Sequence, residues 1–98
     1  MNAQFEILHI DEQSTESEIQ WATDIIEAVN SLSGAAREVL KQIFIAGPTF
    51  DGDVISKQGR DELLKHNFLA KVFVANGVDG YQAVTYRGGL AMRLLEVK

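Results

Sequence analysis

Apolar residues recur at helical spacing in two successive stretches of the first half of the chain. The first stretch consists of apolar residues three or four positions apart: Ile19, Ala22, Ile26 and Val29. Thr15 and Glu18 precede it with the spacing of a capping box, which favours a helix start there. The second stretch follows a break at residues 31–34 and consists of Ala36, Val39, Leu40, Ile43 and Phe44. The pattern predicts two helices, and the second stops at Gly47-Pro48.

A third helix is predicted after residue 55. Ser56 is a favourable N-cap residue, and Gly59 and Leu63 lie four positions apart on one helical face. We expect this helix to end near His66 or Asn67. Because glycine costs about 0.5–1 kcal/mol relative to alanine inside a helix, Gly59 indicates that another element approaches closely at that turn.

The period changes to two beyond residue 69, which predicts a β-hairpin. Val72 and Val74 alternate with Phe73, and residues 81–86 resume an extended pattern. Residues 76–80 lie between them and contain Asn-Gly and Asp-Gly, which tolerate positive φ angles and form turns. A short closing helix is predicted from apolar residues at helical spacing: Leu90, Ala91, Leu94 and Leu95.

Two further segments are predicted to lie outside the helices. Residues 4–10 form a short apolar-rich run that predicts an extended segment or an edge strand. Residues 48–53 read Pro-Thr-Phe-Asp-Gly-Asp, which is rich in turn formers and predicts an exposed loop. The Asp-Gly-Asp sequence lacks the other acidic ligands of a calcium loop, so we interpret it as a turn.

The helix and hairpin region resembles the winged helix-turn-helix superfamily over residues 56–95. Residues 56–64, Ser-Lys-Gln-Gly-Arg-Asp-Glu-Leu-Leu, resemble the helix that precedes the wing in such domains. Residues 83–88, Ala-Val-Thr-Tyr-Arg-Gly, resemble the end of the second wing strand. The chain is also similar to small phage or prophage proteins that have a Ser-Lys-x-Gly-Arg-Asp-Glu-Leu helix and a short wing.

The resemblance implies both a fold and a function. The implied fold is an α+β winged-helix domain over residues 14–98, in which three helices are followed by a hairpin wing and a short C-terminal helix. An extended N-terminal segment is expected at residues 1–13. The implied function is that of a homodimeric transcriptional regulator that binds duplex DNA.

Length and composition fit one folded domain. The chain has 98 residues, of which 46% are hydrophobic and 23% are charged, unlike the usage of disordered chains. Cysteine is absent, which excludes disulfides, thiolate metal sites and a cysteine nucleophile. Because the sequence shows neither a secretory signal nor a run of about 18 apolar residues, we expect a cytoplasmic protein.

No motif in the sequence points to catalysis. His9 and His66 are far apart and have no cysteine companions, so we expect no metal. The glycine-rich segments at residues 76–80 and 87–89 lack the phosphate-binding and dinucleotide-binding patterns, so we expect no cofactor. No Ser/His/Asp set or carboxylate pair has a distinctive spacing, and we therefore expect no enzymatic activity.

Charge is distributed unevenly along the chain. Residues 1–36 carry seven acidic residues and no Lys or Arg, whereas residues 37–98 carry nine basic and seven acidic residues. The second part is therefore the candidate for phosphate contacts. The first part is either a solvated acidic surface or an arm that shields the basic part until a partner displaces it.

The predicted DNA-binding residues lie on the third helix and the hairpin, or beside them. They are Lys57, Gln58, Arg60, Lys65, Lys71 and Arg87. Basic side chains are suited to phosphates, Arg60 also to a guanine edge, and Gln58 to adenine. The alternative is that these residues only solubilise the surface, with Lys65 paired to Asp61 at i, i+4.

A protein-interaction module on the same scaffold, such as an adaptor or an inhibitor, is the alternative function. The net charge is −5, and Asp61 and Glu62 are expected to face outward on the third helix, where a phosphate-rich groove would repel them. Residues 47–55 also form a link between the second and third helices that is longer than the 3–4 residues or so of a DNA-reading helix-turn-helix.

Aromatic and apolar residues supply the predicted partner interface. Its members are Phe5, Ile7, Ile10 and Trp21, each of which has core packing in its own domain as the alternative. Tyr81 and Tyr86 flank the second hairpin strand, and we expect cross-strand or core packing for both. Their alternative is an exposed position that stacks on a base or anchors a partner.

Overall fold

The computed structural model describes residues 3–74 and 78–96 and has an α+β architecture. In chain order the elements are α1 (Ala3–Ile7), α2 (Glu16–Ser31), α3 (Gly34–Ala46), β1 (Thr49–Phe50), a 3-10 helix (Asp51–Asp53), α4 (Lys57–Lys65), β2 (Leu69–Val74), β3 (Val78–Val84) and α5 (Tyr86–Glu96). The strands form one antiparallel sheet in the order β1-β3-β2, which packs against α3 and α4. No helix in the described ranges is both long enough and apolar enough to cross a membrane.

Side-chain caps fix the starts of the three central helices. The predicted capping box of α2 is confirmed, because the Glu18 backbone N–H donates to Thr15 Oγ1 and the Thr15 backbone N–H donates to Glu18 Oε1. Ser33 caps α3, and Ser56 caps α4 by accepting from the Gly59 N–H at 3.0 Å. Gly47 ends α3 at a φ of 81°, which glycine adopts without strain.

The N-terminal segment differs from the prediction. Residues 3–7 form α1 rather than an extended segment or edge strand, so that part of the predicted fold is wrong. A short apolar run fits either conformation, and contact with α5 decides here in favour of a helix. The turn after α1 places His9 at a φ of 60° and buries Leu8 and Ile10, which are 2% and 5% exposed.

The predicted exposed loop at residues 48–53 is also ordered. Thr49 and Phe50 form β1 and pair with Gln82 and Tyr81 of β3, and the next three residues form the 3-10 helix. A strand of two residues leaves no periodic signal in the sequence, because its pairing depends on a partner more than 30 residues away.

The predicted hairpin is present among the described residues, but its second strand is displaced: β3 runs over Val78–Val84, so residues 78–80 are in the strand rather than in the turn, and residues 85–86 are not in the strand. Leu69 pairs with Val84 and Lys71 pairs with Gln82, with an irregularity between Val72 and Val74. Residues 75–77, which include part of the predicted turn, lie outside the described residues. Gly80 has a φ of 84°, which agrees with the expectation that this region needs positive φ angles.

Two glycines allow helices to pack at backbone distance. A methyl group added at Gly59 would lie 2.7 Å from the carbonyl oxygen of Ala35, which confirms the predicted close approach and identifies α3 as the neighbour. A methyl group at Gly88 would collide with the carbonyl oxygen of Phe68. Helix α5 begins at Tyr86, four residues before the apolar pattern of the predicted closing helix, and Thr85 Oγ1 accepts from the Gly88 N–H at this start at 2.9 Å.

Candidate functional site

The predicted DNA-binding residues fall into two groups, four that are exposed and two arginines, Arg60 and Arg87, that are half-buried. Lys57, Gln58 and Lys65 are exposed on α4, and Lys71 is exposed on β2. Helix α4 and the hairpin border a cleft of about 470 Å³, which we call the α4 cleft. Its lining residues are Asp51, Arg60, Asp61, Leu64, Lys71, Val72, Phe73, Gly80 and Gln82. The structure therefore brings Arg60 and Lys71 to one cleft.

Arg60 is held by two carboxylates. Its Nη1 donates to Asp51 Oδ1 and Oδ2 at 2.7 and 2.6 Å, and its Nε and Nη2 donate to Asp61 Oδ1 at 3.0 and 2.9 Å. Only 17% of the Arg60 side chain is exposed. Asp61 is thus paired with Arg60 rather than with Lys65, so the i, i+4 pair of the alternative interpretation does not form among the described residues.

Asp51 is the centre of this cluster. The hydrogen bonds from Arg60 outweigh the effect of burial and, with help from Gln82, hold the pKa of the Asp51 carboxyl below its ordinary value. Gln82 is 1% exposed and donates from Nε2 to Asp51 Oδ1 at 3.1 Å, while its Oε1 has no hydrogen-bond partner in the described part of the chain. The Lys57 Nζ lies 3.8 Å from Asp51 Oδ2.

Arg87 supports the fold. Its Nε donates to the backbone oxygen of His66 at 3.0 Å, and its guanidinium lies 5.6 Å from the ring centroid of Phe68. These contacts join α5 to the turn that follows α4. Arg87 as a whole is half-buried, and its Nε is used within the fold.

Glu62, which was expected to face outward, is half-buried and bonded to the neighbouring helix. Its carboxylate accepts hydrogen bonds from the Ser33 backbone N–H at 2.8 Å and from Ser33 Oγ at 2.7 Å. Burial alone would raise the pKa of Glu62, but these two bonds and the interaction with nearby His66 together outweigh burial and lower it. Glu62 therefore ties α4 to the start of α3.

A second surface feature is an apolar groove formed where α3, the end of β3 and the start of α5 meet. It consists of two adjoining clefts of about 480 and 400 Å³ that share Phe44, Tyr86 and Gly89. Its other lining residues are His9, Ile43, Gly47, Pro48, Ala83, Val84, Thr85, Leu90 and Arg93. Phe44 and Tyr86 are 46% and 74% exposed, so two large aromatic side chains are offered to solvent here.

The charged and titratable residues at this groove are cationic or neutral. Arg93 is exposed at one end together with His9, and none of the described lining residues is Asp or Glu. Ile45, next to Phe44 in α3, is 72% exposed. The groove therefore suits an apolar segment that carries carboxylates.

The predicted partner residues are not gathered in one place. Phe5 and Ile7 are partly buried against the core, and Ile10 is a core residue, so the core-packing alternative describes these three. Trp21 is different, because 38% of it is exposed on α2. Of the four, Trp21 retains the largest surface for a partner.

No family model, curated protein or solved structure matches the chain. The geometry of the described residues is therefore the basis for a functional proposal. Within those residues, no group of three or more His, Cys, Asp or Glu side chains has the arrangement of a metal site.

For two residues of the apolar groove, Phe44 and Tyr86, the position in the structure differs from the position predicted from the sequence. Phe44 was assigned to the apolar face of the second predicted helix, yet it lies at the rim of that face and is half exposed. Tyr86 was expected to pack across the strands or in the core, but it is the first residue of α5 and projects to solvent. By contrast, Tyr81 packs edge-on against Phe50 at 5.6 Å, as expected for a residue in a sheet.

Proposed function

We propose that this chain is a protein-interaction module and that the apolar groove binds its partner. The observation that carries the proposal is the exposure of Phe44 and Tyr86 at one groove, at 46% and 74%. Exposed aromatic side chains beside a concave apolar surface are typical anchors of protein interfaces. The scaffold we propose is a winged-helix arrangement, supported by a hairpin that directly follows α4.

The hydrogen bonds of the two predicted DNA-binding arginines also support this function. Arginine takes part in the commonest specific base contact, a bidentate one to guanine, and it also makes bidentate phosphate contacts. Arg60 and Arg87 instead make hydrogen bonds to other groups of this chain: Arg60 to Asp51 and Asp61, and Arg87 to the His66 carbonyl. The exposed part of the predicted site is left with lysines and a glutamine, next to Asp61.

The chemistry of the groove specifies the kind of partner. Its walls are apolar and aromatic, and Arg93 supplies positive charge at one end. A segment with an aromatic or large aliphatic anchor and a nearby Asp or Glu satisfies both features. We assign no catalytic residue and no cofactor to this surface.

Selection of peptides from a random display library on the immobilised full chain tests the proposal. Enriched peptides should combine aromatic residues with Asp or Glu, and their addition should shift the amide NMR signals of Phe44, Tyr86 and Gly89. Tyr86→Ser should abolish binding. Phe73→Ser is the matched control, because Phe73 is 75% exposed but lies at the α4 cleft. Enrichment of no sequence, or binding that survives Tyr86→Ser, would contradict the proposal.

Duplex DNA binding is a second candidate function. A specific observation favours it, because Lys57, Gln58 and Lys65 are exposed on the helix that precedes the hairpin, and Lys71 is exposed on the hairpin itself. Fluorescence anisotropy with random duplex DNA should then show affinity that falls steeply with salt. Lys57→Glu combined with Lys65→Glu should remove it. If the unaltered chain shows no binding even at low salt, the DNA candidate is lost.

A further inference from the structure

We infer that the occupant of the apolar groove is helix α2 of a second copy of this chain, with Trp21 as the side chain that enters the groove. This inference rests on the proposed function, because it names the partner of the same groove. Three observations carry it: the charge of α2, the exposure of Trp21 and the charge at the groove.

Helix α2 has the charge that the groove lacks. It contains four acidic residues and no basic residue: Glu16, Glu18, Asp24 and Glu27. All four are exposed, and none forms an ion pair with a described residue. The groove presents exposed Arg93 and His9 and no described carboxylate. The two surfaces are thus complementary in charge within one sequence.

Trp21 provides an apolar anchor next to one of these carboxylates. It is 38% exposed, although the adjacent Ala22 is fully buried. Asp24 is three residues further along the helix and therefore lies on the same flank as Trp21. A tryptophan beside a carboxylate matches a groove that has aromatic walls and an arginine at its end. Tryptophan is also among the residues most enriched at the centres of protein interfaces.

The inferred contact joins two different surfaces of the chain. Used once, it would leave one groove and one α2 unoccupied, whereas used twice about a two-fold axis it forms a closed dimer. Each copy then gives its α2 to the partner and receives the partner's α2. This reciprocity makes the inference testable by mixing two variants that are each defective on one side.

Sedimentation velocity of the full chain over a range of concentrations is the experiment. The unaltered chain should show a monomer–dimer equilibrium. Tyr86→Asp removes the groove side and Trp21→Gln removes the α2 side, and each should weaken dimerisation about tenfold or more. An equimolar mixture of the two should recover association, because one intact α2 and one intact groove remain between them.

Two further variants keep the result interpretable. Asp24→Lys alters the same flank of α2 at an exposed position, so it should weaken dimerisation even if Trp21→Gln fails to fold. Ile19→Gln is the matched control, since Ile19 is 39% exposed but lies about 160° around the helix from Trp21. It should dimerise like the unaltered chain.

The outcomes separate this inference from the proposed function. A chain that stays monomeric at every concentration, yet binds acidic aromatic peptides at Tyr86, overturns the second copy as partner and leaves the interaction module in place. A dimer that is weakened by Tyr86→Asp but not by Trp21→Gln or Asp24→Lys overturns the assignment of α2. Failure of both peptide binding and dimerisation removes the proposed function as well.

Discussion

Arg60 and Asp51 form a two-pronged ion pair in which one guanidinium nitrogen donates to both carboxylate oxygens, at 2.7 and 2.6 Å. The pair joins the 3-10 helix to the first half of α4. Asp61 holds the opposite side of the guanidinium. The basic residue best suited to read a guanine edge therefore serves to position α4 against the segment before it.

Asp51→Asn should destabilise the fold. The substitution keeps the shape of the side chain but removes the charge that Arg60 faces, and Arg60 is only 17% exposed. Because both partners retain some solvent contact, we expect a loss of about 1–2 kcal/mol in the free energy of unfolding. Chemical denaturation measures it. Asp53→Asn is the control, and an equal loss in the two variants would show that the Arg60 pair is not responsible.

Acid should destabilise the protein through Asp51 and Glu62. Their ordinary pKa values are 3.8 and 4.5, and both are lowered in the folded state. Above those values both groups are ionised whether the chain is folded or unfolded, and their full stabilisation is present. As the pH falls below them, the unfolded chain binds protons first and the stabilisation is progressively lost.

Urea denaturation between pH about 7 and about 3 follows this loss. The double variant Asp51→Asn, Glu62→Gln should start less stable and should lose less stability over the acid part of the range. If its curve runs parallel to that of the unaltered chain, other carboxyl groups cause the acid sensitivity.

Gly88→Ala and Gly89→Ala should have opposite effects although they are neighbours in α5. At Gly88 the added methyl group collides with the Phe68 carbonyl, and we expect a loss of about 3 kcal/mol in the free energy of unfolding. At Gly89 the added methyl group would have no atom within 4 Å apart from its chain neighbours and its own helix backbone. Alanine should therefore stabilise the fold by about 0.5–1 kcal/mol through helix propensity. Thermal unfolding of the two variants checks the sign of each change. Equal effects would refute the close packing of α5 on Phe68.

Arg87→Lys should also destabilise the fold. Lysine cannot reproduce both the Nε hydrogen bond to the His66 carbonyl and the position of the guanidinium over the Phe68 ring. We expect a loss of about 1 kcal/mol in the free energy of unfolding. Arg93→Lys, at an exposed position in the same helix, should change stability little. Denaturation curves that coincide for the unaltered chain and Arg87→Lys would return Arg87 to the surface-binding candidates.

The sequence predicted those parts of the fold that depend on neighbouring residues. Three local patterns of the sequence are present in the structure: the capping box of Thr15 and Glu18, the Ser56 cap and the alternating strands of the hairpin. The close contact at Gly59 could also be predicted, because a glycine within a helix lowers the stability of that helix and therefore needs a structural reason. The strand at Thr49 could not be predicted, since it exists only through pairing with Gln82.

The candidate sites were harder to predict for the same reason. Nothing in the local sequence shows that Arg60 meets Asp51, or that Glu62 reaches Ser33 29 residues earlier. Phe44 fits a helical apolar face, and only the position of α5 leaves it half exposed beside Tyr86. Periodicity identifies the face of a helix that packs, but the rim of that face depends on the elements that cover it.

The pairing of β1 with β3 constrains the helix that lies between these strands in the chain. Because Thr49 bonds across to the residues around Gln82, this pairing closes a loop that contains the 3-10 helix, α4 and β2. While both pairings are kept, α4 can move only within this closed loop, which limits its conformational freedom. The two residues of β1, the shortest strand of the sheet, therefore restrain the helix whose exposed face we expected to carry the function.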